Sequence, residues 1–385
     1  MQAILKIVIA FAVFIGLALT PARALPHLTI DLDSGRVLSQ QQAFDPWHPA
    51  SLTKLMTALV VFRALETGAV SADETVRVSR NAARQQPSKM HYAPGTLITV
   101  EDALKLLIVK SANDISVALA EHVSGSVEGF ARKMNDEAAR LGMTGSRFIN
   151  PHGLHDQRQV TTARDMALLI SVLHKNYPQY ADWFAAPGVL AQARTKQGKI
   201  IERIHYSYNL LVERYRGADG FKTGFVCASG YNFIGSATRA GRRIAAIVLG
   251  RSSQTHRAVD AAKLITGGFE LSTDAGTPLA ELKPDGTPAT RPANMRPRLC
   301  TPEARAARYE PGAGQAVIKS PWLDERTPRK ITLRTRFATK PKGVPRRNVP
   351  LPRFRPTPID DTVRATSAAP IQLPTPSFRP GTALN

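Results

Sequence analysis

Pro49-Ala50-Ser51-Leu52-Thr53-Lys54-Leu55-Met56-Thr57 is the stretch on which the reading of this chain turns. Leu52, Leu55, Met56, Leu59 and Val60 recur at helical spacing. Pro49 just before them is a helix-start signal, so a helix is expected from about Ser51 to about Glu66. Ser51 and Lys54, three positions apart, then share one face of its first turn. A serine hydroxyl attacks a carbonyl only with a base beside it. A lysine can be that base only where burial or a nearby cation disfavours its charged form. The helix start would also aim backbone N–H groups at the place where an attacked carbonyl gathers negative charge. Taken alone the pattern is weak, because a helix-start serine followed by a solvated lysine looks the same.

Two further motifs follow in order. Thr99-Val100-Glu101-Asp102 resembles a capping box with Asp in place of Glu, so a helix is expected from Val100 to about Val109. Another helical stretch begins near Asp114, and Ser111-Ala112-Asn113 falls at the junction. Ser111 can relay a proton between Lys54 and a leaving amine, and Asn113 can hold a substrate amide oxygen. The plainer alternative is that both merely cap the second helix. Lys222-Thr223-Gly224 lies on an expected strand, Phe221 to Val226. A cation and a hydroxyl there can bind a terminal carboxylate. Gly224 would let a substrate backbone lie close along the strand edge, as in β-augmentation. The Phe225 N–H would complete an oxyanion hole with the Ser51 N–H. Three motifs in this order, each on the right element, are far less easily produced by chance than any one of them. Ser51, Lys54 and Ser111 are therefore the expected catalytic residues, and Asn113, Lys222, Thr223, Gly224 and Phe225 the expected substrate-binding ones.

Outward from these motifs, Leu28–Leu32 and Arg36–Leu38 flank Asp33-Ser34-Gly35 and read as a β-hairpin. Phe130–Leu141 and Thr162–Leu173 read as helices. Tyr231–Thr238 and Arg243–Leu249 read as strands joined by Arg239-Ala240-Gly241, and His256–Phe269 as a closing amphipathic helix. Strands at both ends with helices between them predict an α+β fold, an antiparallel sheet flanked by helices, in which the first and last strands pair.

At this point the chain resembles the low-molecular-mass penicillin-binding proteins, the serine D-alanyl-D-alanine carboxypeptidase family, over about residues 27 to 275. The likeness rests on the three motifs and on longer stretches: Pro49 to Thr57, Asn150-Pro151-His152-Gly153-Leu154, Thr162 to Ala167, Asp219 to Gly224, and Gly230-Tyr231-Asn232. The resemblance implies the penicillin-binding/β-lactamase fold. It implies that Ser51 is acylated by the penultimate D-alanine of a peptidoglycan stem pentapeptide, that the last D-alanine leaves, and that the ester is hydrolysed. β-Lactams would be covalent inhibitors. No metal or organic cofactor is implied, and His152 and His155, lacking a third ligand at metal spacing, read as structural. One departure is Val226, where family members often carry Thr. A D,D-endopeptidase with the same residues stays open. A β-lactamase of the same fold would need a second base, and no Glu-x-x-x-Asn stretch lies between Asn113 and Lys222.

The two ends complete the picture. Lys6, the apolar run Ile7–Leu19 and Ala22-Arg23-Ala24 read as a secretory signal over residues 1–24. The apolar run falls short of the roughly 20 residues of a spanning helix. Export to the periplasm or cell envelope is expected, which disfavours nucleic acid as the partner of a chain with net charge +21. It also permits a bond between the two cysteines, Cys227 and Cys300. Residues 25–275 are the expected catalytic domain. Residues 276–385 carry most of the 28 prolines and more than twice as many Lys/Arg as Asp/Glu. They are expected to form a basic, largely disordered tail, with a strand or small module around Ile331-Thr332-Leu333. Such a tail could contact anionic wall polymer or a membrane surface.

Overall fold

The computed structural model describes residues 24–195, 197–309 and 320–338. Its centre is a six-stranded antiparallel sheet. The hairpin β1 (His27–Asp31) and β2 (Arg36–Gln41) lies against the C-terminal meander. That meander is β5 (Ala218–Val226), β6 (Gly230–Arg239) and β7 (Arg242–Arg251). β1 pairs antiparallel with β7, Leu28 opposite Ile247, so the first and last long strands meet as expected. With the short β8 (Thr277–Pro278) added beyond β2, the spatial order is β8-β2-β1-β7-β6-β5, which leaves β5 at an edge.

The apolar run of β7 shows why the sheet has two covers. Ala245, Ile247 and Leu249 point into one buried cluster, while Ile244, Ala246 and Val248 point into another. Alternate residues of a strand face opposite sides, so a continuous apolar run requires a layer on each. One layer is α6 (Gln254–Glu270), which contributes Ala258, Ala261, Ala262 and Ile265. The other is the helical body: α1 (Thr53–Glu66), α2 (Val100–Lys105), α3 (Asn113–Ser124), α4 (Val127–Arg140) and α5 (Ala163–Asn176). α1 is buried on every side from Thr53 to Phe62, the pattern of a core helix and not a surface one. Thr99, Ser126, Thr162 and Ser253 each accept a hydrogen bond from the backbone three residues on, capping four of these helices.

Two expectations are corrected. The helix begun at Val100 is α-helical only to Lys105. Leu106–Lys110 is a π-helical turn ending at Ser111 in the left-handed region, φ 62°. The boundary at residue 275 also does not separate a packed body from a tail. β8 extends the main sheet, and β9 (Leu333–Thr335) runs parallel to β3 (Gly188–Arg194), whose other neighbour is β4 (Ile200–Tyr206). Leu279, Met295 and Leu323 are buried. The short helix α7 (Arg296–Leu299) ends at Cys300, which is disulfide-bonded to Cys227 just after β5. Prolines and arginines hid these apolar anchors because each serves alone, without the periodicity that marks an element. The expected signal segment and the tail beyond residue 338 lie outside the described residues, apart from Ala24.

Candidate active site

Ser51 sits in a single 3-10 turn, Ala50–Leu52, that leads into α1. The turn is held under strain: Ala50 has φ 48°, a region that costs a non-glycine residue on the order of 1–3 kcal/mol. The surroundings fix it. Asn232 Nδ2 donates to the carbonyls of His48 and Pro49 at 2.9 and 3.1 Å. Trp47 Nε1 donates to the Ser229 carbonyl at 2.9 Å. Gly153, at φ 88°, fits beneath; a Cβ there would lie 1.8 Å from the Ala50 carbonyl oxygen. A Cβ on Gly224 would lie 3.0 Å from both the Ser51 nitrogen and the Pro49 oxygen. Glycine at 224 therefore first of all lets the serine turn approach the edge strand.

Lys54 follows one turn later and is 1% exposed. Its Nζ donates to Asn113 Oδ1 and to the His152 carbonyl, both at 2.7 Å, and lies 3.0 Å from Ser51 Oγ. Burial, and then the neighbouring Lys222, hold this amine well below the usual lysine range. A neutral amine has two N–H groups and one lone pair. With both N–H groups engaged, the lone pair is left facing the serine hydroxyl. This is the geometry a general base needs. His152, buried beside it, is pushed down to about 3 by burial and by Lys54. It stays neutral above that pH, and its Nδ1 accepts the Leu154 N–H at 3.0 Å.

Ser111 and Asn113 are brought to the same place. Neither side chain caps α3: Ala112 is the cap residue and makes no side-chain cap bond, and the first-turn N–H of Ile115 is taken by Asp114. The capping alternative thus has no support in the geometry. Asn113 is fixed from three sides, with Oδ1 on Lys54, Nδ2 on the Gln86 carbonyl at 2.8 Å, and its backbone N–H on the Ser88 carbonyl at 2.7 Å. The loop carrying Gln86 and Ser88 is in turn fastened by the buried carboxylate of Asp114, which accepts the N–H groups of Met90 and His91. Ser111 is 4% exposed and is not among the three groups around Lys54 Nζ.

On the facing wall, Lys222 and Thr223 are buried on β5. Burial and then Arg257 push Lys222 down to about 7. Arg257, from α6, is itself buried. It donates to the carbonyls of Gly224 and Asn232 at 3.3 Å and of Tyr208 at 3.2 Å. The Phe225 ring packs on Tyr231 at 4.3 Å between centroids. Several of these parts carried no role in the sequence reading. His152 and Asn232 lay in quoted stretches, but what each supplies is a backbone carbonyl or a cross-strand tie, which residue type alone does not announce. Arg257 read as one residue of an amphipathic helix.

A serine placed against an amine whose charged form burial disfavours, at a helix start and beside a lysine-bearing strand edge, can attack a carbonyl with lysine as its base. Proteins built this way form a class of serine acyl-transfer enzymes. The sequence model of the D-alanyl-D-alanine carboxypeptidase family matches residues 20–253, and the chain belongs to that family. It is 36% identical over 271 residues to D-alanyl-D-alanine carboxypeptidase DacC of Escherichia coli, covering 69% of this chain and 64% of that protein. It thus spans less than two thirds of that relative's length. The fold is similar to penicillin-binding protein 5 of Haemophilus influenzae, with a TM-score of 0.59 and 31% identity over 66% of this chain and 73% of that one. It is also similar to penicillin-binding protein D2 of Listeria monocytogenes in a cefotaxime-bound form, with a TM-score of 0.55 and 30% identity over 64% and 97% of the two chains.

Proposed function

We propose that this protein is an exported serine D-alanyl-D-alanine carboxypeptidase that removes the terminal D-alanine of peptidoglycan stem pentapeptides through an acyl-enzyme on Ser51. The observation that carries the reading is the buried Lys54 amine, both of whose N–H groups are taken, 3.0 Å from the serine oxygen. In the proposed reaction Ser51 Oγ attacks the penultimate D-alanyl carbonyl as its proton passes to Lys54 Nζ. The Ser51 and Phe225 N–H groups hold the oxyanion. Collapse breaks the peptide C–N bond, and Ser111 passes the proton from Lys54 to the leaving amine. Water then attacks the ester, with Lys54 again the base, and frees Ser51. Asn113 has one amide N–H beyond that given to Gln86, and this holds the substrate amide oxygen. Lys222 and Thr223 hold the terminal carboxylate, and Gly224 leaves room for substrate along the edge of β5.

Residues 1–24 are proposed to direct export. Residues 25–275 supply the catalytic residues, and the basic sequence beyond 338 contacts anionic wall polymer or the membrane surface. One experiment tests nucleophile and address together. Fluorescent penicillin added to whole cells should label a protein lacking residues 1–24, and Ser51→Ala should abolish the label. Labelled Ser51→Ala protein, or wild type that no β-lactam acylates, would end the proposal.

A further inference from the structure

Lys110 and Tyr208 are in contact. Lys110 ends the π-helical turn and immediately precedes Ser111. Its Nζ donates to the Tyr208 hydroxyl at 3.2 Å, and lies 5.3 Å from the ring centroid. Ser88 holds the lysine side of the pair: its hydroxyl donates to the Lys110 carbonyl at 3.1 Å. On the strand side, the Tyr208 carbonyl accepts from Arg257, the cation whose other nitrogen holds the Gly224 carbonyl. The pair therefore joins the element that carries Ser111 to the support of the Lys222-Thr223-Gly224 strand. In the proposed reaction these are the two groups that handle the leaving D-alanine, Ser111 its amine and Lys222-Thr223 its carboxylate.

Two properties of the pair bear on what can occupy that end. Among the described residues Lys110 has no carboxylate partner, although it is only half-buried. Tyr208 is a large ring left 41% exposed. A cation without an acid and an exposed ring, next to Ser111 and tied through Arg257 to the strand that carries Lys222, fit a small anionic leaving group. We propose that the Lys110–Tyr208 bridge closes the leaving-group end of the cleft and restricts cleavage to a single terminal residue bearing a free carboxylate. This rests on the function proposed above and deepens it: the bridge selects chain ends over crosslinks.

The test compares kcat/KM on two acyl donors, a stem pentapeptide ending in free D-alanine and a crosslinked dimer in which the D-alanyl carbonyl is joined to an amine of a second stem peptide. Rates are normalised to the fraction of sites a penicillin acylates, which removes misfolded protein from the comparison. Wild type should favour the pentapeptide by at least a hundredfold. Tyr208→Ala should lower that ratio tenfold or more by raising cleavage of the dimer, and Tyr208→Phe, which keeps the ring but loses the hydrogen bond to Lys110, should lower it in the same direction by a smaller factor. Lys110→Gln should raise KM for the pentapeptide about tenfold at similar kcat, with Lys110→Arg restoring it. A wild-type ratio near one, or a ratio unmoved by either truncation while penicillin still acylates the site, overturns the bridge and leaves the carboxypeptidase reading standing. Absence of acylation and of D-alanine release in wild type overturns both.

Discussion

Lys54 and Lys222 are both buried, and among the described residues neither pairs with a carboxylate. The same burial has different consequences for the two. Lys54 must be neutral to take the serine proton, so its depression favours the form the reaction needs. Lys222 must be charged to hold a carboxylate, yet it is pushed down from 10.5 to about 7. In the free enzyme, kcat/KM for a substrate with a terminal carboxylate should therefore fall as pH rises through about 7. Unfolding does not account for such a fall. Between about 7 and 10.5 the unfolded chain binds more protons at this lysine than the folded one, so its contribution to stability increases with pH in that window. Lys222→Arg should move the alkaline limb upward by at least one pH unit. A pH–rate profile with an unmoved limb would assign it to another group.

At the scale of elements, the turn after β5 is held on two sides. Trp47 and Asn232 tie it and β6 to the serine turn. On the other side Cys227 is bonded to Cys300, and the Met295 N–H donates to the Ala228 carbonyl at 2.9 Å. The disulfide joins residues 73 apart in sequence. A loop of that length corresponds to about 4 kcal/mol in the chain-entropy account, and measured values are often lower. Cys227→Ser with Cys300→Ser should lose roughly 2–4 kcal/mol in urea unfolding, and acylation by a β-lactam should slow as the turn loosens. Unchanged stability, or free thiols in the native protein, would contradict this.

For the whole molecule, the described chain beyond residue 275 is a strap. It adds β8 at one sheet edge and β9 against β3. Asp285 accepts the Gln42 N–H, and Arg326 pairs with Glu213 at 2.7 Å. Two truncations separate its structural and binding parts. A chain ending at 338 should unfold at the same urea concentration as the full protein but lose salt-sensitive association with isolated cell wall. A chain ending at 275 should unfold at a clearly lower concentration, since it exposes the surface that Leu279, Met295 and Leu323 cover. Equal midpoints for the two would show that the strap adds nothing. Retained wall binding by the first would place the wall contact elsewhere than the tail.

What was legible in the residues follows from short-range rules. Helical spacing placed Ser51 and Lys54 on one face, alternation marked the strands, and caps such as Thr99 and Thr162 marked helix starts. Motif order linked Ser51, Ser111 and Lys222, which are far apart in the chain. What was not legible depends on surroundings. The sequence alone determined which groups can react and on which elements they stand. Only the tertiary structure decided that a backbone carbonyl from His152 and the Asn113 amide occupy the two protons of Lys54, that Arg257 stands behind Lys222, and that a proline-rich segment closes over the sheet. Reactivity belongs to side-chain chemistry and travels with residue type. Charge state and fit depend on which distant atoms exclude water, and folding alone brings those atoms together.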